Sequence, residues 1–315
     1  MKILQMKTLT VFTPTYNRVD LISRGYEALC RQSCHDFKWL IIDDGSNDKT
    51  GELVRSWMSV DTIKCADGGF EGFSKEAPWL KIRYCYKENG GLHTGYNKAA
   101  ELMDTEICVC IDSDDYMPDD AVEIIIKKWA KYNDGKIAGL IGLDYLVDGT
   151  RLGCELPEGK HIHCIQLCQD KRYQFDKKIV IRGDLFKMEA PQPTYNGERN
   201  FNPMYMILKV DQHAPFVLIN NNLCFVDYQP TGMAANIFKQ YVNSANSFCA
   251  LRCLYMSLNY TSLMFRMRNL LHLSSSVILA GNLKWLNKCR YPITGYLMLP
   301  FGFLLSRYIL YKSRK

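Results

Sequence analysis

In this 315-residue chain, residue types that could do chemistry together gather in four short polar segments, each following a strand-like run. The segments are Pro14-Thr15-Tyr16-Asn17-Arg18, Asp43-Asp44, Asn89-Gly90-Gly91 and Asp112-Ser113-Asp114-Asp115. Asp112, Asp114 and Asp115 repel one another when ionised, and ending a strand does not require such a cluster. A hard divalent cation, Mg2+ or Mn2+, resolves the repulsion, because it takes oxygen ligands and keeps open positions for substrate phosphates. The plainer reading is an acidic helix start, which is what Asp119 and Asp120 are expected to provide for the next helix. Four polar segments in step favour a metal and phosphate site.

The elements that must position these segments alternate. Strands are expected over residues 8–13, 38–42, 81–86 and 107–111, and helices over 19–33, 53–58, 94–103 and 119–132. Asn17 is a candidate cap for the first helix, and residues 60–79 read as an irregular excursion. The fourth strand is nearly all apolar, as in a parallel sheet buried on both faces. Further strands are expected at 137–147 and 178–182, the latter followed by a short helix, and two short ones within 216–227 around Asn220, Asn221 and Asn222. Helix candidates follow at 234–259 and 262–280. The fold class is therefore α/β, a doubly wound, mostly parallel sheet with a Rossmann-like nucleotide-binding core and a helical C-terminal extension. The expected division is a domain over 1–233, with halves 1–118 and 119–233, and an extension over 234–315. In such sheets ligands bind beyond the carboxyl ends of the strands, where all four polar segments fall.

VFTPTYNR, IIDDGSNDKT, ENGGLHTGYNKA and CIDSDDYMPDDA, in that order, resemble the inverting glycosyltransferases of family 2, with the GT-A fold. The likeness continues more loosely through FDKKIVIR, YNGER and VDYQPTGMA to about residue 235, and is most like bacterial enzymes building surface or capsular polysaccharide. It implies a donor site for a nucleotide sugar. Thr13, Pro14, Tyr16 and Arg18 would line it, with Tyr16 stacking on the base and Asp44 accepting from a uracil or thymine N3–H. Asn89 and Gly90 would lie near the diphosphate, and Asn97 would brace that wall. Asp112 and Ser113 would face the ribose, Asp114 and Asp112 would hold the divalent cation, and Asp115 would orient sugar or water. Glu198 is the implied general base and Asp176 the second candidate; the plain alternative for Glu198 is an ion pair with Arg199. Many relatives have Lys where this chain has Leu92.

Charge divides the chain. Residues 1–227 hold all 33 Asp and Glu against 28 Lys and Arg, whereas the last 88 residues hold 11 Lys and Arg and no acid. With 47% apolar residues, disorder is excluded. The tail is rich in Leu, Met, Tyr and Phe rather than exposed polar basic patches, so nucleic acid is not an expected partner. Its uncharged runs, 269–283 and 291–306, fall short of a membrane span. Leu297, Phe301, Leu304, Leu305, Tyr308 and Ile309 among Arg307, Lys312, Arg314 and Lys315 suit a helix lying on an anionic membrane surface, where a lipid-linked or glycan acceptor would be met. Thirteen Cys without CxxC, and a start without an export signal, suit reduced thiols on the cytoplasmic side of a bacterial membrane. A zinc site from His161, His163, Cys164 and Cys168 is disfavoured by its spacing. Two other classes compete: a catalytically silent membrane-bound scaffold, and a nucleotidyltransferase, which calls for a basic Gly-rich loop that TPTYNR is not.

Overall fold

The computed structural model describes residues 7–229 and 236–314. The chain runs β1 (Leu9–Thr15), α1 (Ile22–Cys30), β2 (Phe37–Asp43), α2 (Thr50–Ser56), β3 (Ile63–Lys64), β4 (Phe70–Phe73), β5 (Lys81–Tyr86), α3 (Leu92–Leu102), β6 (Ile107–Cys110), α4 (Ala121–Tyr132) and β7 (Gly139–Leu146). It continues through β8 (His161–Ile162), α5 (Cys164–Gln169), β9 (Lys177–Arg182), α6 (Gly183–Glu189), α7 (Met204–Val210) and β10 (Phe216–Val226). The last helices are α8 (Ile237–Asn243), α9 (Ala245–Ser257), α10 (Leu263–Leu279), α11 (Lys284–Lys288), α12 (Pro292–Leu297) and α13 (Leu299–Ser313).

The strands form one sheet in the order β3-β4-β5-β2-β1-β6-β9-β7-β10-β8. β5, β2, β1 and β6 are parallel neighbours, so their carboxyl ends and the loops that follow them share one edge. β9 enters antiparallel between β6 and β7. Apolar residues cover both faces. Ile22, Tyr26 and Leu29 of α1 and Val122, Ile125 and Trp129 of α4, spaced three or four apart, pack on one face with Val11, Trp39 and Val109. Tyr96, Ala99 and Ala100 of α3 pack on the other with Phe12, Leu40 and Phe186. Each fully buried large side chain contributes about 1.5–3 kcal/mol relative to exposure.

Several expectations are corrected. Residues 60–79 are not irregular throughout: Phe70–Phe73 pairs with β5, and Ile63–Lys64 pairs with β4. Asn17 does not cap α1, whose N-cap position is Leu21; at φ 52° it turns the chain and accepts from the Asn47 amide at 2.9 Å. Residues 216–226 form one strand, not two, with register shifts at Leu218/Asn222 and Asn222/Cys224 where the asparagines bulge. The expected helix over 234–259 breaks at Ser244 into α8 and α9. Apart from these corrections, His163 Nδ1 meets the Asp211 carbonyl at 2.8 Å, and all thirteen cysteines are free.

The C-terminal helices share a third core with the sheet domain. Ile165, Phe201 and Leu208 pack with Cys249, Leu251, Leu270, Leu273 and Trp285. Gly302 lets α13 cross α10 closely, since a Cβ there would lie 2.6 Å from the Ser274 Cβ. The expected boundary at 233/234 lies outside the described residues. No helix among the described residues is long and apolar enough to cross a membrane.

Candidate active site

The shared edge of β5, β2, β1 and β6 gathers the four polar segments. After β2, Asp44 is 5% exposed and forms a hub. It accepts from the Gly90 amide at 3.0 Å, the Gly91 amide at 2.7 Å and the Thr94 hydroxyl at 3.3 Å, and pairs with the Lys87 ammonium. The hub thereby ties the end of β2 to the loop after β5 and the first turn of α3. Asp43 beside it is spent internally, on the Ser46 amide and the Tyr84 hydroxyl. Lys87 and Thr94 were not singled out from the sequence, yet both donate to the acid that was.

After β1, Tyr16 is 43% exposed, so its ring is available for stacking. Arg18 is half-buried, and its amide donates to the Thr50 hydroxyl at 3.3 Å. Pro14 is buried beneath α3, where the missing side chain of Gly95 makes room for it. Thr13 is not free to meet a ligand: it is 3% exposed and its hydroxyl accepts from the Trp39 indole at 2.9 Å. Its sequence neighbours reach the edge, but alternation turns Thr13 into the core.

Asn89 and Gly90 are half-buried in the loop between β5 and α3. Gly91 has φ 94°, and a Cβ there would fall 1.7 Å from the Arg199 carbonyl, so the segment carrying Glu198 lies directly against this loop. Asn97 braces the same wall, with its amide bonded in both directions to the Gln192 backbone at 2.7 and 2.9 Å. His93 is buried, which lowers its pKa, and lies 5.9 Å from the Phe201 ring.

After β6, Asp112 is exposed, Asp114 half-buried, and Ser113 and Asp115 buried. Burial and the Asp112 charge raise the Asp114 pKa. Burial pushes Asp115 to about 7, with the Asp112 and Asp114 charges adding to the effect against Lys178. The Arg24 guanidinium donates to the Asp114 carbonyl at 3.0 Å and to the Asp227 carboxylate at 2.7 Å, and the Asp227 amide donates to Asp115 at 3.1 Å. The end of β10 is thus clasped to this loop. Among the described residues no three His, Cys, Asp or Glu side chains converge into a metal cage. Asp112 and Asp114 are two hard oxygen donors in a negative setting, a set that fits a cation completing its shell with phosphate oxygens and water.

Glu198 occupies neither expected setting. It is 9% exposed and pairs with α9 instead of Arg199. One oxygen accepts from the Asn246 amide and side chain at 2.8 and 2.9 Å, the other from the Ser247 amide and hydroxyl at 2.8 and 2.7 Å. A carboxylate at a helix amino terminus satisfies orphan amides and meets the positive end of the dipole. Asp176, exposed just before β9, accepts from the Tyr228 hydroxyl.

Residues 10–153 match the family described as glycosyl transferase family 2. This stretch, somewhat under half of the chain, is similar to family 2 glycosyltransferase domains. Over 124 residues the chain is 25% identical to glycosyltransferase GlyA of Streptococcus pneumoniae, an alignment covering 39% of this chain and 15% of that protein. It is 26% identical over 123 residues to hyaluronan synthase of Pasteurella multocida, covering 39% and 11%. The chain thus spans well under a fifth of the length of these relatives. S. aureus TarS 1–349 superposes with a TM-score of 0.55 at 14% identity, over 98% of this chain and 91% of that one. A mannosyltransferase from Pyrobaculum calidifontis, in complex with GDP-Man and Mn2+, gives a TM-score of 0.54 at 15% identity, over 97% and 83%. The family 2 domain therefore has the GT-A arrangement, followed by C-terminal helices.

Replacing Glu198 by Gln turns one acceptor into a donor that faces α9 donors. The loss is about 2 kcal/mol, a fall in Tm of about 4–8 °C by calorimetric unfolding; an unchanged Tm contradicts the capping role.

Proposed function

We propose that the protein is an inverting glycosyltransferase. It moves a sugar from a UDP- or dTDP-sugar to a hydroxyl of a glycan or lipid-linked saccharide in bacterial surface polysaccharide synthesis. The observation that carries this reading is the Asp44 hub beside Asp112 and Asp114 on one edge of a family 2 domain. Asp44 Oδ2 takes one backbone donor, which leaves it able to accept a pyrimidine N3–H, while Tyr16 stacks on the ring. Asn89 and Gly90, at the foot of α3, lie where the diphosphate is expected. Asp112 and Asp114 would hold a divalent cation, Mg2+ or Mn2+, which when bound would supply electrostatic stabilisation of the departing diphosphate.

The acceptor hydroxyl loses its proton as it attacks, which calls for a carboxylate with an open lone pair. Glu198 has four donors on its two oxygens, so its part is to hold the wall. The proton is assigned to Asp176, which is exposed and accepts from the Tyr228 hydroxyl.

The basic helices are assigned to the inner face of the cell membrane. Leu297, Phe301, Leu304 and Tyr308 are 70, 60, 67 and 50% exposed and recur at helical spacing along α12 and α13, opposite the packed Gly302, Ser306 and Ile309. No acid follows Asp227, so this apolar stripe meets anionic lipid without repulsion.

Calorimetric titration with UDP, dTDP, CDP and GDP should show binding of the first two, weakened about 10- to 100-fold by Asp44→Asn; equal binding of all four argues against the base contact, and none favours a silent scaffold. Asp176→Asn should lower transfer by at least about 100-fold with donor binding intact, whereas an active variant removes Asp176 as the base. In flotation assays the protein should rise with anionic vesicles and not with phosphatidylcholine, and Phe301→Glu with Leu304→Glu should keep it in the pellet fraction; retention of vesicle binding by that pair excludes the stripe.

A further inference from the structure

One cation lies beneath the acid loop with no part in the donor contacts above. Lys178, from the FDKKIVIR stretch, stands in β9 opposite Gly142 of β7 and is 8% exposed. Its ammonium is 3.7 Å from Asp115 Oδ2 and 3.9 Å from Asp144 Oδ2. Asp144 is 2% exposed, and its other oxygen has no hydrogen-bond partner. Burial alone would lower the lysine's pKa, but Asp144, Cys224, Asp115 and Asp112 raise it well above the ordinary value. Burial also pushes Asp144 up to about 6 despite the lysine.

A buried ammonium between two carboxylates is an expensive way to join strands, since apolar residues of similar volume usually do as well or better. Its position gives it a use. Asp112, Asp114, Asp115 and Asp144 crowd together at the ends of β6 and β7, and Lys178 is the ammonium set among them, with Arg24 reaching the Asp114 carbonyl and Asp227 from outside. One internal positive charge leaves an excess of negative charge suited to a single further dication.

We infer that Lys178 is a fixed internal cation that neutralises Asp115 and Asp144 beneath Asp112 and Asp114, and that its charge limits how tightly the loop retains a divalent ion. This rests on the proposed metal site, but it is a statement about the lysine's charge. A purely structural lysine would alter stability and leave cation affinity unchanged.

The test titrates Mn2+ alone into the full chain by calorimetry. Lys178→Met should bind Mn2+ about tenfold more tightly than the native chain, because one like charge near the ion is gone. Asp144→Asn should bind it more weakly, the double variant should return to the native affinity, and Lys178→Arg should match the native chain. Native affinity in Lys178→Met overturns the inference. If the native chain takes up no Mn2+, the metal reading fails and the inference fails with it, whereas uptake that Lys178→Met leaves unchanged overturns the inference alone.

Discussion

Carboxylates drawn to one edge of a parallel sheet repel one another, and the protein answers the buried ones with donors from other elements. Asp43 takes a hydroxyl from β5, and Asp44 takes two amides and a hydroxyl from the start of α3 with an ammonium from the end of β5. Asp115 takes an amide from the end of β10 and shares an ammonium from β9 with Asp144 of β7. Because most of these partners come from elsewhere in the chain, compensating the charge also assembles the edge.

This also separates acids by duty. Those with saturated oxygens, such as Glu198, act through what they hold. Asp112, Asp114 and Asp176, with exposed or half-buried carboxylates, and Asp44, whose Oδ2 takes a single amide, keep acceptor capacity. Residue type alone does not distinguish the groups; the number of donors aimed at each oxygen does.

The parallel core was legible because β1, β2 and β6 are mostly apolar runs closed by polar residues, a pattern that reports burial on both faces. The loops after them carry their chemistry in adjacent residues, so the edge could be located as well. What escaped depended on distant pairing. The short strands Ile63–Lys64 and Phe70–Phe73 have weak local patterns and exist because β5 offers them an edge. Thr13 looked like a pocket residue until strand alternation aimed it at Trp39. Lys178 reads as an ordinary strand lysine, and its burial follows only from β9 running antiparallel between β6 and β7.

The third core carries a consequence for how the chain can be taken apart. Phe201, three residues from Glu198, shares apolar contacts with α9 and α10, while Glu198 itself closes the first turn of α9. The Arg199 carbonyl meanwhile abuts the loop that grips Asp44. The acid-free helices are therefore a buttress rather than a detachable appendage. Grafting them between relatives would carry one wall of the pocket along, so recombination that keeps this wall native has to cut ahead of Tyr195.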